Sequence, residues 1–481
     1  MEISQSNLRE LRYFILSTSR PTILFCYSKK GDAHPISRFP MSTATTVSTE
    51  TDTTTPVGLH TFQIRCDDYC LRLSAHSDDS LSKWIDAILS SECTQNLRCG
   101  RNFDLSVRRN VKVSGIAYQI EERYTPIKKI GHGSYGTVIA AHDKKRNISV
   151  AIKKIPNAFE DLVDARRVVR EICVLRSLKH PNITSIVDLP TPPPPELFKD
   201  IYIVLDLVHT DLFRVIYERK KLSNSHIKWI TYQLLCALKY LHSANVVHSD
   251  LKPQNILLSS NCDVKLCDFG LARSIKAPPS ESSNGGDLTQ YVVTRWYRAP
   301  ELLLGCEMYT QAIDVWGLGC ILGEMLYRKA LFRGTDYIDQ IRRIIEFVGV
   351  PDKEDDLSFL TNERAKKFLL SLPKNPPKDL SKFLPHADHK ALDLIRKMLI
   401  IDPSKRISVD DAISHDFLAS MRHHNLEAVS DFELDWGAIE SVELTRENVQ
   451  SLVYEEVDLL KKNMNTTNIL RNGTTCAGIL V

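Results

Sequence analysis

Val247-His248-Ser249-Asp250-Leu251-Lys252-Pro253-Gln254-Asn255, followed after a short apolar run by Asp268-Phe269-Gly270, is the stretch on which the reading of this chain turns. Two carboxylates, Asp250 and Asp268, and the Asn255 amide suit a site that orients a hydroxyl and holds Mg²⁺ on a nucleotide. Upstream, Ile130-Gly131-His132-Gly133-Ser134-Tyr135-Gly136-Thr137-Val138 carries the G-x-G-x-x-G-x-V pattern. Its glycines let the backbone approach phosphates and turn tightly over them. Alone, that pattern also fits a dinucleotide site. Val150-Ala151-Ile152-Lys153 decides the matter, because it reads as a strand ending in a phosphate-pairing lysine and not as a helix.

The set H-x-D-L-K-P-x-N, then D-F-G, then Ala299-Pro300-Glu301, resembles the protein kinases. The resemblance implies an α+β fold of two lobes and a reaction carried by positioning and charge neutralisation. Asp250 would accept or orient the substrate hydroxyl proton, Lys252 would steady the γ-phosphate, and Asn255 with Asp268 would hold Mg²⁺. Lys153 would pair with the α- and β-phosphates of ATP and with Glu171, which lies in a helix-like stretch with Val168, Ile172 and Leu175 on one face. The nucleotide would lie among Ile130, Gly131, Gly133, Gly136, Val138 and Ala151. Leu205 would stand at the back of the adenine pocket, and Asp206, Leu207 and Val208 would form the hinge. Pro192 to Pro195 reads as a stiff surface turn.

Thr289-Gln290-Tyr291-Val292-Val293-Thr294-Arg295-Trp296-Tyr297-Arg298 sharpens this. It resembles the mitogen-activated protein kinases, whose signature is Thr-x-Tyr at that place, and the likeness runs from about Tyr124 to Phe417. It implies phosphorylation of Thr289 and Tyr291 by an upstream dual-specificity kinase and transfer to protein substrates at Ser/Thr-Pro sites. Of three arginines that meet the phosphothreonine in that family, the matching positions are Arg170, Ser249 and Arg273; Arg295 and Arg298 stand ready for phospho-Tyr291. With Ser249 in place of an arginine, the loop phosphate loses charge-assisted hydrogen bonds toward Asp250, and weaker dependence on Thr289 phosphorylation is expected. The family's acidic docking cluster is replaced by Met421-Arg422-His423-His424-Asn425.

Residues 1–93 read as a small β-rich unit. Tyr13–Leu16, Ile23–Tyr27, Thr61–Ile64 and Tyr69–Leu73 are short aromatic and β-branched runs, and Ser42 to Thr55 reads as a loop. Leu81, Trp84, Ile85, Ile88 and Leu89 give one closing helix an apolar face. This resembles a pleckstrin-homology domain, which implies either a phosphoinositide ligand gripped by Arg12, Lys29 and Lys30 or a protein ligand. Residues 94–123 are expected to be a linker, 124–417 the kinase domain, and 418–481 an extension packing back through Val449, Leu452, Val453, Val457 and Leu460. The net charge of +3 in 481 residues gives nucleic-acid binding little support. Twelve scattered cysteines without CxxC pairs predict reduced thiols. With no apolar run of membrane-spanning length and no signal peptide, the chain is expected in the cytoplasm, with the nucleus and membrane recruitment left open. A scaffold with an impaired kinase fold, recruited through its first domain, is the competing class; all five catalytic side chains being present stands against it.

Overall fold

The computed structural model describes residues 2–5, 8–11, 13–17, 23–27, 37–40, 46–50, 60–65, 70–75, 108–133, 136–193, 195, 198–218, 221–275, 295–306, 310–349, 357–374 and 376–473. The chain divides into two compact units, Met1–Arg109 and Asn110–Val481.

The first unit is all β among its described residues. Strands β1 (Glu2–Gln5), β2 (Leu8–Leu11), β3 (Tyr13–Ser17), β4 (Ile23–Tyr27), β5 (Ser37–Pro40), β6 (Thr46–Glu50), β7 (His60–Arg65) and β8 (Cys70–Ala75) form two antiparallel sheets, ordered β2-β1-β8-β7-β6 and β3-β4-β5. The Ser/Thr-rich stretch expected to be a loop contains β6, which pairs with β7 from Thr46↔Arg65 to Glu50↔Thr61. Threonine and valine are good strand formers, and a pairing edge recruits them despite their polarity. The closing helix around Trp84, and Arg12, Lys29 and Lys30, lie outside the described residues.

The part of the expected linker next to the kinase domain is a hairpin, nearly all of it in the second unit: β9 (Arg108–Val113) and β10 (Ile116–Glu121). Ser114 and Gly115, both at positive φ (49° and 81°), make the two-residue turn that such hairpins favour. The sequence alternates Val111, Val113, Ile116, Tyr118 and Ile120, and this apolar face packs with Tyr124, Ile139, Val150, Ile152 and Val204. Lys154 Nζ donates to the Ala117 carbonyl at 2.8 Å and the Tyr118 hydroxyl to Thr137 Oγ1 at 2.7 Å. Burial of this face turns the expected linker into part of the small lobe.

That lobe is a five-stranded antiparallel sheet, β11 (Tyr124–Gly133), β12 (Gly136–Asp143), β13 (Ile148–Ile155), β15 (Ile201–Asp206) and β14 (Ile186–Asp188) in that order, with helix α1 (Leu162–Ser177). Asp161 caps α1, its carboxylate accepting from the Val163 and Asp164 N–H groups. Helix α2 (Asn224–Ser243), opened by a Ser223–His226 capping box, and the almost wholly buried α3 (Ala312–Tyr327) form the core of the large lobe. Strands β16 (Thr210–Asp211), β17 (Ile256–Leu258) and β18 (Val264–Leu266) form a small sheet under the cleft. The last helix, α4 (Arg446–Gly473), buries Val449, Val453, Val457 and Leu460 and pairs Glu456 with Arg176 of α1 at 2.5 Å. It also ties down the proline-rich turn: Gln450 Nε2 donates to the Pro195 and Phe198 carbonyls at 3.1 and 3.2 Å, and the Tyr454 hydroxyl donates to the Pro193 carbonyl. Cys173, Cys236, Cys262, Cys267, Cys306 and Cys320 are free thiols.

Candidate active site

Lys153 is the sixth residue of β13, opposite Val138 on β12 and Ile203 on β15. Its Nζ donates to both Glu171 oxygens, at 2.8 and 2.6 Å, joining the sheet to α1. Burial pulls the Lys153 pKa down, but the Glu171 and Asp268 carboxylates outweigh it and hold the ammonium above its usual range. Gly131 pairs with Val138 and Gly133 with Gly136, so the glycine pattern is a hairpin over the cleft. A Cβ on Gly136 would fall 2.0 Å from the Lys154 carbonyl oxygen, which leaves no room for any side chain. Gly136→Ala must therefore shift the hairpin against backbone; an overpacking cost of about 1–3 kcal/mol, falling on the ATP-bound geometry, corresponds to a rise in KM for ATP of about 5- to 150-fold, read from steady-state kinetics. Ile130, beside Gly131, lies in the same strand, while Ala151 faces Leu205 across β13 and β15, and Val208 follows β15 by two residues. Asp206 ends β15; its carboxylate takes Lys265 Nζ at 3.1 Å, which fixes the start of the hinge.

The loop carrying Asp250 is held from below by a residue not foreseen from the sequence, Asp314 of α3. Its Oδ2 accepts from the His248 N–H and from His242 Nε2, both at 2.9 Å, and its Oδ1 from the Ser249 N–H at 2.9 Å. Burial pushes the Asp314 pKa up, but His242, His248 and these hydrogen bonds bring it below the usual carboxylate range. The Asp314-Val315-Trp316-Gly317 stretch, 64 residues past Asp250 and entering an apolar helix, was the available signal. His248 is fully buried; it accepts from the Asp250 N–H on Nδ1 at 3.2 Å and donates from Nε2 to the Cys267 carbonyl at 3.1 Å. Its ring lies 4.9 Å from that of the buried Phe269.

Around Asp250, Lys252 Nζ donates to Oδ2 at 2.5 Å, and Asn255 Nδ2 to Oδ2 at 3.2 Å and to the Asp250 carbonyl at 3.0 Å. Asn255 thus spends its amino group inside the loop and keeps its carbonyl oxygen for a cation. Asp268 stands at positive φ (65°), a strained setting typical of functional sites. Burial would raise its pKa, but Lys153, Lys252 and His248 hold it ionised below the usual range. An ionised carboxylate and an amide oxygen are hard donors that fit Mg²⁺. Among the described residues no group of three or more His, Cys, Asp or Glu could hold a metal, so remaining positions would fall to phosphate oxygens and water.

Of the expected phosphate-receiving residues, Arg170 grips Glu440, Nε to Oε1 at 2.5 Å and Nη2 to Oε2 at 3.0 Å. Arg273 pairs through its backbone with Val247 in both directions, at 2.9 and 3.0 Å. Arg295 Nη1 donates to the Thr335 carbonyl at 2.9 Å, and Arg298 Nη1 to the Tyr337 hydroxyl at 2.9 Å. Ser249, at φ 63°, donates its hydroxyl to the Leu271 carbonyl at 2.5 Å, a neutral link just beyond Gly270. Thr289 and Tyr291 lie outside the described residues.

A two-lobed fold with a lysine–glutamate pair above a buried Asp-Phe-Gly and an Asp–Asn loop is that of a protein kinase. Residues 124–418 match the protein kinase domain model and residues 2–92 the PH domain model. Mitogen-activated protein kinase 11 of Arabidopsis thaliana is 44% identical over 347 residues, covering 72% of this chain and 91% of that protein. Mitogen-activated protein kinase 4 of the same plant is 45% identical over 347 residues (72% and 89%), and mitogen-activated protein kinase 4a of Physcomitrium patens 44% over 347 (72% and 90%). This chain belongs to the mitogen-activated protein kinases, carries a PH domain ahead of its kinase domain, and is an ATP-binding serine/threonine kinase.

Proposed function

We propose that the chain is a proline-directed kinase of a signalling cascade, switched by an upstream dual-specificity kinase at Thr289 and Tyr291 and using ATP with Mg²⁺. The observation that carries this reading is the assembled catalytic set: Lys153 on Glu171, and Asp250 among Lys252 and Asn255. Asp250 takes the proton of a serine or threonine hydroxyl as its oxygen bonds to the γ-phosphorus and the bridge to the β-phosphate breaks. Lys252 stays beside the transferring group. Asn255 and Asp268 would hold Mg²⁺, which when bound neutralises phosphate charge. The PH domain directs the kinase to a phosphoinositide or protein ligand, from the cytoplasm to a membrane or into the nucleus. No catalytic side chain is lost, which argues against a scaffold with a decayed site.

Ser249 in the arginine position supports a loosened link between loop phosphate and Asp250. Thr289→Ala is therefore expected to keep kcat/KM for a Ser-Pro peptide within about tenfold of the phosphorylated wild type, one lost charge-assisted contact at most. Complete loss of activity would contradict this reading.

A further inference from the structure

Glu440 ends the short helix Gly437–Glu440 and projects into a cluster of cations. Besides the two bonds from Arg170, Arg166 Nη1 lies 3.7 Å from its Oε2. Burial pushes the Glu440 pKa up, and Arg170, Arg273 and Arg166 more than reverse it, so the carboxylate is ionised. Its segment is firmly seated. Trp436 Nε1 donates to the Asn245 carbonyl at 2.9 Å, the Leu434 N–H to the Ala244 carbonyl at 2.9 Å, and Arg166 Nη2 to the Val442 carbonyl at 3.4 Å. Asn245 in turn accepts from the Ile275 N–H at 3.0 Å and donates to Ser274 Oγ at 3.1 Å. One stretch, 434–442, thus touches the helix bearing Glu171, the turn leading to His248 and Asp250, and, through Asn245, the segment that follows Asp268.

Arg170 and Arg273 are two of the positions read above as receivers of phosphothreonine, and the inference rests on that reading. A bidentate arginine–carboxylate pair is among the stronger protein hydrogen bonds, and here both partners belong to the chain itself. We propose that Glu440 is a positioning residue for phosphoryl transfer: an in-chain carboxylate that fills the arginine cluster and holds the Glu171 helix and the segment carrying Arg273 in the transfer-competent arrangement without loop phosphate. Thr289 phosphate, with nearly two negative charges, then competes with Glu440 for the same cations and adds little.

The test uses the full chain, treated with phosphatase, as wild type, Glu440→Gln, Glu440→Asp and Arg166→Gln. Kinetics with ATP and a Ser-Pro peptide are measured before and after phosphorylation on Thr289, with melting temperature as a control. In the unphosphorylated state Glu440→Gln is expected to lose about tenfold or more in kcat, the worth of a bidentate charge-assisted pair. Glu440→Asp should recover most of it, and Thr289 phosphorylation should restore Glu440→Gln more than it stimulates wild type. Arg166→Gln, acting from the outer side of the cluster, should lower kcat in the same direction by less, and decides the matter if Glu440→Gln does not fold. Unphosphorylated wild type without activity, or Glu440→Gln as active as wild type or more so, overturns the proposal. A loss in Glu440→Gln that Thr289 phosphorylation does not restore would uphold Glu440 and refute the reading of the arginines as a phosphate receiver.

Discussion

Asp250→Asn lowers kcat for phosphoryl transfer by about 10²–10⁴-fold, the range of a lost general base, and leaves ATP affinity and melting temperature near wild type. The amide is isosteric with the carboxylate, so Lys252 and Asn255 can still donate to its oxygen, now replacing bonds of 2.5 and 3.2 Å. The Asp250 N–H keeps its bond to His248, and Asp314 keeps hold of the loop from beneath. Only the capacity to take the hydroxyl proton goes. Single-turnover transfer to a Ser-Pro peptide, with nucleotide binding followed separately, distinguishes this from loss of the fold. A kcat within a few-fold of wild type would remove Asp250 from its role.

Arg406→Ala has the largest expected effect on stability. Arg406 Nη1 and Nη2 donate to the two Glu301 oxygens at 2.8 Å each, and both side chains are buried, 0% and 3% exposed. The guanidinium also serves the Ile400, Ala312 and Ile401 carbonyls at 2.8, 2.7 and 3.1 Å and lies over the Trp316 ring. Its removal leaves Glu301 charged, buried and unpaired, with three carbonyls lacking a donor. Breaking such a pair costs about 3–5 kcal/mol, which lowers the melting temperature of the kinase unit by about 5–10 °C. Calorimetry of the full chain checks it. Glu301→Gln, which still offers an oxygen to the fork, should cost less; equal losses would mean that the carbonyl contacts dominate and the charge pair does not.

Much of the site could be read from sequence because phosphoryl transfer admits few residue types and fixes their order. Lys153, Glu171, Asp250, Asn255 and Asp268 are each the sole side chain of the right chemistry at their point in the pattern. What escaped depends on distance in three dimensions. Asp314 is an ordinary acidic residue until α3 brings it under the loop at His248. Glu440 lies 270 residues from Arg170, and nothing local marks it as the partner of that arginine. The β9–β10 hairpin was hidden by its charges: Arg108, Arg109 and Lys112 mask an alternation that becomes plain only once the Ser114-Gly115 turn is recognised. β6 was hidden by composition, since a serine- and threonine-rich run scores as loop unless a pairing strand stands beside it.

Phosphate transfer from ATP to matched Ser-Pro and Ser-Ala peptides by the phosphatase-treated full chain, repeated after phosphorylation on Thr289 and Tyr291, tests the central claim most directly. The predicted result is Mg²⁺-dependent transfer to the Ser-Pro peptide in both states, with little to the Ser-Ala peptide and only a modest gain on loop phosphorylation. Absence of transfer to either peptide in both states would contradict it and make the chain a scaffold built on a kinase fold.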